Sequence, residues 1–406
     1  MLNKQDAEQM ARENILPFWQ SIIDKEYGGF YGEADFNGEI IKTADKGGIL
    51  KSRILWTFSA AYNLFNEKSF KDCAVQARDF LSKAFYDDEY GGVYWLADYK
   101  GSPSQTRKQF YNIAFAVYAL SEYYLAFRDQ ASLDMALDLF GVLEKHGFDS
   151  AAGGYIEARV RDWSDIDDFR LSGKDLNSPK SMNTNLHVLE AYTNLLRACA
   201  VKEADGNEQV KNALKNLLHI TLDKIVNSGF HFELFFDMQW RSLSREISYG
   251  HDIEGSWLML EAALAAGDEK LINKTKDTSA AIAGVIFTEA LDWKDGKLEN
   301  RGTSCGFISG RDEDGKIRDK KEWWPQAEAV IGFYNAYELT GDLKFLNAAN
   351  AVWEYIKMYF TDKARGEWHN ELFADNTPDK KMPKAGFWKC PYHNARACFE
   401  IIKRMS

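Results

Sequence analysis

The sequence predicts an all-α (α/α)6 toroid, a closed barrel of six helical hairpins with short β-hairpin loops at one end. Two observations predict it. Glycine-containing loop segments recur along the chain, at Gly29, Gly92, Gly154, Gly229, Gly296 and Gly366. Two amphipathic helical patterns lie between consecutive loops, and one further pattern stands at each terminus. We therefore expect residues 1–406 to form one barrel domain.

The loop signature is clearest in the first half of the chain. The three clearest copies are DKEYGGFYGEADFNG from Asp24, DDEYGGVYWLADYKG from Asp87 and DSAAGGYIEARVRDW from Asp149. Their alternation of apolar and polar residues indicates short hairpins. Weaker copies follow in NSGFHFELFFDMQW, WKDGKLENRG and ARGEWHNELFAD. The loops therefore mark six units of roughly 60–75 residues each.

The helical patterns form five pairs between the loops and a sixth pair from the two ends. The five predicted pairs are 48–65 with 69–85, 109–127 with 131–147, 181–200 with 208–226, 250–266 with 270–288, and 323–340 with 343–361. Helices over about 4–23 and 388–404 would complete the sixth pair and close the ring. An open solenoid is the alternative, but it would leave two terminal faces that need polar caps.

Composition limits the classes of function. The 406 residues are 45% hydrophobic and 14% aromatic, with 7 prolines, so the chain can bury a large core. The 12 tryptophans and 19 tyrosines suit sugar-stacking platforms or an aromatic-rich core. A formal charge of −11 argues against nucleic acid and anionic membranes as partners. With no apolar span, no signal-peptide core and five cysteines without zinc spacing, we expect a cytoplasmic protein.

Unusual polar and aromatic residues fall near the predicted starts of the helices that directly follow the loops. Because each of these helices follows a loop, all six begin at the same end of the ring, where closed folds carry pockets. The residues concerned are Arg53, Tyr111, Asn183, His187, His251, Glu254, Trp323, Trp324, Glu328 and His393. We expect them to converge on one mouth of the barrel.

Each of these residues also has a purely structural interpretation. A lone histidine on an apolar helix, such as His187, is more often a hydrogen-bonded core residue. Arg53 could pair with a carboxylate, and Trp323 and Trp324 could fill the core. Three histidines and a glutamate could also bind a metal, although only one pair has local spacing. We assign structural roles to Cys390 and to the histidines outside the helix starts, which are His146, His219, His231 and His369.

The motifs KSRILWTFS, DEYGGVYW, MNTNLHVLEAY, SYGHDIE, WWPQAEA and KCPYHNAR resemble those of the cellobiose 2-epimerases, within the N-acylglucosamine 2-epimerase superfamily. The resemblance extends from ILPFW near the start to the final helix. It implies an (α/α)6 barrel, a cytoplasmic location and no metal or other cofactor. It also implies interconversion of glucose and mannose at the reducing end of β-1,4-linked disaccharides, such as cellobiose to glucosyl-mannose and lactose to epilactose.

The resemblance and the chemistry of C2 epimerisation together suggest the catalytic residues. The open-chain sugar must lose the proton beside its carbonyl and regain one on the opposite face. Histidine suits this exchange because its ordinary pKa lies near neutrality. We expect His251 and His393 to be the two acid/base groups and Glu254 to orient His251. His187 would assist ring opening or hold O1 and O2.

The substrate-binding roles follow from the same resemblance. Arg53 would stabilise the enediolate oxygens, because it is a fixed cation. The other expected contacts are hydrogen bonds from Asn183 and Tyr111, stacking by Trp324, Trp388 and less directly Trp323, and support of the site by Glu328 and Arg396. The charged loops Arg161–Lys180 and Asn300–Lys321 are expected to cover the mouth and to set the preferred substrate size.

Three alternatives remain open at this point. An N-acylglucosamine 2-epimerase or a mannose (aldose–ketose) isomerase of the same fold would use similar histidines. A glycoside hydrolase would need two carboxyl groups flanking the scissile bond, and Glu254 and Glu328 are the prominent acids. A non-catalytic sugar-binding scaffold would explain the aromatic residues but not the histidines. We expect a small-molecule disaccharide as partner, neither nucleic acid nor membrane, and a monomer or weak homodimer.

Overall fold

The computed structural model describes residues 2–201, 207–293 and 304–405. The helices in these ranges are α1 (Lys4–Gln9), α2 (Leu16–Ser21), α3 (Gly48–Phe65), α4 (Lys68–Ala84), α5 (Phe110–Phe127), α6 (Gln130–Val142), α7 (Met182–Ala200), α8 (Asn207–Ile220), α9 (Tyr249–Ala266), α10 (Glu269–Glu289), α11 (Trp323–Thr340), α12 (Leu343–Tyr355) and α13 (Tyr392–Arg404). Short π-helical segments join α1 to α2 (Met10–Ile15) and extend α6, α8 and α12 (Leu143–Gly147, Thr221–Ile225, Ile356–Phe360).

Six helices form an inner ring. Helices α3, α5, α7, α9, α11 and α13 each pack against the next, and α13 packs against α3, so the ring closes. The segment from α1 to α2 and helices α4, α6, α8, α10 and α12 pack outside, each against its inner partner. Inner helices are buried on nearly every side, as α5 is from Phe110 to Ser121, because outer and inner neighbours cover both faces. The predicted (α/α)6 fold and its closure are confirmed.

Very short strands join successive units. They are β1 (Lys46–Gly47), β2 (Leu96–Ala97), β3 (Pro103–Gln105), β4 (Lys108–Gln109), β5 (Ala158–Arg159), β6 (Lys180–Ser181), β7 (Phe235–Phe236), β8 (Leu291–Asp292), β9 (Gly306–Phe307), β10 (Lys321–Glu322) and β11 (Glu371–Leu372). All pairs are antiparallel: β1–β2–β3, β4–β5, β6–β7, β8–β9 and β10–β11. The strand before an inner helix thus pairs with the loop of the next unit in four of these pairs, which fixes the helix starts relative to one another.

Two sequence expectations about boundaries are wrong. The last helix begins at Tyr392 rather than at residue 388, because Pro391 caps it and proline favours helix starts.

The fourth and sixth loops align with the other loops differently from the prediction. In the first loop the backbone N–H of Asp24 donates to the carbonyl of Gly29. The equivalent bonds run from Asn227 to the carbonyl of His231 in the fourth loop and from Asp362 to the carbonyl of Glu367 in the sixth.

His231 and Glu367, rather than Gly229 and Gly366, therefore occupy the position of the recurring glycine. Glu367 has a φ of 62°, a left-handed conformation that usually favours glycine. Its carboxylate accepts hydrogen bonds from Trp19, Lys389 and Asn394, which compensate for the strain. The predicted glycine at 296 lies outside the described residues. Among the helices that are described, none combines the length and apolarity needed to cross a bilayer.

A lysine–aspartate ion pair recurs beneath the loops, and both side chains are buried in every copy except Lys321–Asp292, whose aspartate side chain is 47% exposed. The pairs are Lys46–Asp24, Lys108–Asp87, Lys180–Asp149, Lys321–Asp292 and Lys384–Asp362. In the fourth unit both positions differ together, because Asn227 and Ile247 stand where the other units carry the acid and the base. Losing both members at once leaves no buried charge without a partner.

Replacing Lys46 with isoleucine is expected to lower the free energy of unfolding by about 3–5 kcal/mol, because it leaves the Asp24 carboxylate buried and unpaired. Adding Asp24→Asn reproduces the fourth unit, where Asn227 Oδ1 accepts the same kind of loop N–H bonds. The double variant should regain about 2 kcal/mol or more. Guanidinium unfolding of Lys46→Ile, of Asp24→Asn and of the double variant checks this. A double variant that loses the sum of the two single losses would contradict it.

Candidate active site

The starts of the inner helices surround a cavity of about 830 Å³ at one end of the ring. The predicted residues that line it are Arg53, Tyr111, Asn183, His187, His251, Glu254, Trp323, Trp324, Trp388 and His393. Several lie in the first helical turn, as His251 does in α9 and His393 in α13, which directs their side chains to the mouth. The structure thus brings together residues from all six units.

His251 is held by a hydroxyl group. Its Nδ1 atom lies 2.7 Å from the Oγ atom of Ser248, the N-cap residue of α9. Burial, together with the nearby charges of His187, Arg318 and Arg53, lowers the pKa of His251 to about 3. We therefore assign a neutral imidazole to His251.

The expectation that Glu254 orients His251 is wrong. Glu254 Oε1 instead accepts a hydrogen bond of 2.6 Å from Arg396, and Ser248 takes the place beside the imidazole. The two residues share a helix face, but the cap residue is nearer to the ring nitrogen and the glutamate extends towards a cation. The i, i+3 spacing therefore identified Glu254 as a neighbour of His251, but the hydrogen-bond partner of the imidazole is Ser248.

His393 and His187 are each supported by a carboxylate. His393 Nδ1 lies 2.7 Å from Glu328 Oε1, and His187 Nδ1 lies 2.9 Å from Glu190 Oε2. Because a carboxylate only accepts hydrogen bonds, it holds the proton on Nδ1 and leaves Nε2 free to act as a base. Glu190 was missed by the sequence analysis, although its i+3 spacing from His187 could have indicated it.

Arg396 links the acidic groups behind the cavity. Its guanidinium donates to Glu254 (2.6 Å), to Glu328 (2.7 Å) and to Glu190. The ring of Tyr392 lies 4.2 Å from the guanidinium carbon, and Tyr392 also donates to Glu190. The expected supporting role of Glu328 and Arg396 is thus consistent with their contacts, while Tyr392 was not anticipated.

The three buried carboxylates share one cation, so they do not all ionise easily. Burial, and then the nearby Glu328, raise the pKa of Glu254 well above its ordinary value. Arg396 and His187 outweigh burial at Glu190 and lower its pKa to about 2. We therefore assign a neutral carboxyl to Glu254, whose Oε2 atom is buried and has no hydrogen-bond partner among the described residues. Such a group can donate a hydrogen bond to a ligand in the cavity.

Arg53 lies in an aromatic setting. Its Nη2 donates to Tyr111 Oη at 2.7 Å and its Nη1 to Cys390 Sγ at 3.6 Å, while the Phe115 ring lies 4.3 Å away. Its Nε atom is buried without a hydrogen-bond partner in the described part of the chain. The alternative that Arg53 pairs with a carboxylate finds no such contact there, so its charge is available to a ligand.

The predicted stacking residues differ in exposure. Trp324 is half-buried, and its ring centroid lies 4.7 Å from that of His251 and 5.5 Å from that of His393. Trp388 is also half-buried, whereas Trp323 is 6% exposed and packs in the core. The residue before His251 is a glycine because a Cβ atom at Gly250 would lie only 2.6 Å from the ring of Trp324.

Glu254, Glu328 and His393 could in principle hold a metal, since ligand atoms of all three lie within 4.8 Å of one another. Arg396 already donates to both carboxylates, so its guanidinium supplies the positive charge that a metal ion would otherwise provide. The donor set is therefore better explained as part of the ion-pair network.

The remaining histidines do not line the cavity, whereas the two charged loops contribute to it. His231 pairs with Asp252 (2.7 Å), and the cavity lining does not include His146, His219, His231 or His369. Parts of both loops, including Lys174 and Arg318, do line the mouth. Residues 300–303 of the second loop lie outside the described residues.

The chain is similar over nearly its whole length to proteins of one known family. Residues 29–397 match the family described as N-acylglucosamine 2-epimerase (GlcNAc 2-epimerase). The cellobiose 2-epimerases of Bacteroides fragilis and Ruminococcus albus are each 43% identical over 401 residues, which is 98% of this chain and of theirs. The solved structure of the cellobiose 2-epimerase from Bacillus thermoamylovorans superposes with a TM-score of 0.90 at 40% identity, covering 99% of both chains.

Proposed function

The chain belongs to the N-acylglucosamine 2-epimerase family of carbohydrate epimerases, and from this premise we propose that it interconverts glucose and mannose at the reducing end of β-1,4-linked disaccharides. Cellobiose would give glucosyl-mannose, and lactose would give epilactose. One observation carries the proposal: two imidazoles from α9 and α13 contact the same indole, across a cavity that also presents a buried guanidinium.

The reaction begins with ring opening, since only the open-chain aldehyde makes the C2 proton acidic. His187, held by Glu190, assists this step or holds O1 and O2. The neutral carboxyl of Glu254 donates a hydrogen bond to a sugar oxygen through its unpaired oxygen. Asn183, whose Oδ1 atom is also buried without a partner in the described residues, and Tyr111 bind sugar hydroxyls.

Proton transfer follows through a cis-enediolate. One of His251 and His393 removes the C2 proton, and the electron pair of that bond moves onto the carbonyl oxygen. Arg53 stabilises the resulting negative charge, because a buried cation interacts strongly with charge that develops beside it. The other histidine returns a proton to the opposite face of C2, and the carbonyl forms again. Trp324 and Trp388 stack on the sugars.

Cavity size and the pairing of the acids weigh against the alternatives. A volume of about 830 Å³ accommodates more than a monosaccharide, which supports a disaccharide over N-acylglucosamine or mannose. A glycoside hydrolase needs two carboxyl groups flanking its substrate, whereas Glu254 and Glu328 both contact Arg396. Metal independence, a cytoplasmic location and a monomeric or weakly dimeric state are part of the proposal.

NMR of EDTA-treated protein with cellobiose in D2O tests the proposal. We expect glucosyl-mannose as product, with deuterium at C2 of the reducing-end sugar, because the C2 proton passes through histidines that exchange with solvent. A ketose product would indicate an isomerase, and free glucose would indicate a hydrolase. Unchanged cellobiose without deuterium would contradict the proposed substrate, and N-acetylglucosamine, N-acetylmannosamine and mannose would then be tried.

A further inference from the structure

The three histidines of the cavity differ in the partner of Nδ1. His187 and His393 face carboxylates, Glu190 and Glu328, which only accept a hydrogen bond when ionised. His251 faces the hydroxyl of Ser248 at 2.7 Å, and a hydroxyl can donate as well as accept. His251 is therefore the one histidine lining this cavity whose Nδ1 can exchange a proton with its partner without forming an ion pair.

The charges around His251 make this difference important. Arg53 and Arg318 both line the same cavity, and burial and these cations oppose a positive charge on the imidazole. A group that returns a proton to C2 must nevertheless give one up. A neutral imidazole does this without becoming an anion only if its second nitrogen gains a proton at the same time.

A small alcove opens beside Ser248. It has a volume of about 130 Å³ and is lined by Ser248 and His251 together with Glu157, Ser178, Ser181 and Arg318. A water molecule needs roughly 10–15 Å³ of such volume and two or more polar partners, so the alcove suits a short file of water. Burial raises the pKa of Glu157 to about 7, so this carboxyl can exchange protons near neutrality.

We propose that Ser248 is a proton relay that lets His251 act as acid or base while it stays neutral, through exchange with the alcove. As Nε2–H protonates C2, the N–H bond pair stays on the ring, Nδ1 takes the hydroxyl proton of Ser248, and the alcove reprotonates Oγ. One proton thus moves from the alcove to C2. In the opposite direction Nε2 takes the C2 proton, Nδ1 passes its proton to Ser248, and Ser248 passes one to the alcove.

The proposal rests on the proposed function, and three variants test it. Ser248→Thr keeps the hydroxyl and the helix cap. Ser248→Asn keeps the cap and an acceptor for Nδ1–H but cannot pass a proton on. Ser248→Ala loses both. We expect kcat for cellobiose epimerisation to fall about 100-fold in the Asn and Ala variants but less than about tenfold in Thr, with KM changed little.

Proton inventories in H2O/D2O mixtures give a second readout that a structural cap would not alter. We expect a curved dependence of kcat on deuterium fraction for wild-type protein and Ser248→Thr, and a straight line for Ser248→Asn. Equal activity of the Thr and Asn variants, or straight lines throughout, would overturn the relay alone. Wild-type protein that epimerised no sugar would overturn both the relay and the proposed function.

Discussion

Replacing either His251 or His393 with asparagine is expected to lower the rate of cellobiose epimerisation by about 1,000-fold or more. Each histidine is assigned one face of C2, so the loss of either leaves no group to remove or return a proton there. Asparagine is polar and of similar size, which limits changes in packing. Initial rates measured by NMR with each variant check the prediction.

His146→Asn is the matched control, because His146 stacks on Trp163 and does not line the cavity. Its epimerisation rate should stay within about twofold of wild type. Thermal unfolding of all three variants separates loss of chemistry from loss of fold. Epimerisation within tenfold of the wild-type rate by the His251 or His393 variant would remove that residue from the mechanism.

Replacing Arg396 with methionine is expected to lower the free energy of unfolding strongly. Methionine has a similar length but no charge, so Glu190, Glu254 and Glu328 would lose their shared cation in a fully buried site. Removing one member of a buried ion-pair network costs about 3–5 kcal/mol. We expect a loss of this size in guanidinium unfolding, together with a loss of activity, because Glu328 also positions His393.

Arg241→Met provides the comparison on the surface. Arg241 pairs with Asp237, but its side chain is 78% exposed, so its replacement should change the unfolding free energy by less than about 1 kcal/mol. If the Arg396 variant were as stable as the Arg241 variant, the account of a shared cation behind the cavity would be contradicted.

The fold was largely predictable because it repeats. The periodic apolar residues of inner helices placed α3 at 48–65 and α11 at 323–340, as the structure has them. Where the repeat varies, prediction from spacing was less accurate. His231 and Glu367 replace a glycine, and this substitution depends on contacts with Asp252 and Asn394 that no local pattern contains.

The candidate residues of the site were also predictable, but their partners were not. Helix starts indicated which side chains would meet at the mouth. The partner of Glu254 proved to be Arg396, which is distant in sequence and adjacent only when the ring closes. Ser248 was overlooked because a serine before a helix is ordinarily a cap, and here it caps α9 and contacts His251 as well.

Deuterium exchange without epimerisation tests the two-histidine account most directly. In D2O, each asparagine variant retains one histidine, which can remove and return a proton on its own face only. We predict that His251→Asn exchanges the C2 hydrogen of one epimer, either cellobiose or glucosyl-mannose, and that His393→Asn exchanges that of the other. Exchange of the same epimer by both variants, or continued epimerisation by either, would contradict the assignment of one histidine to each face.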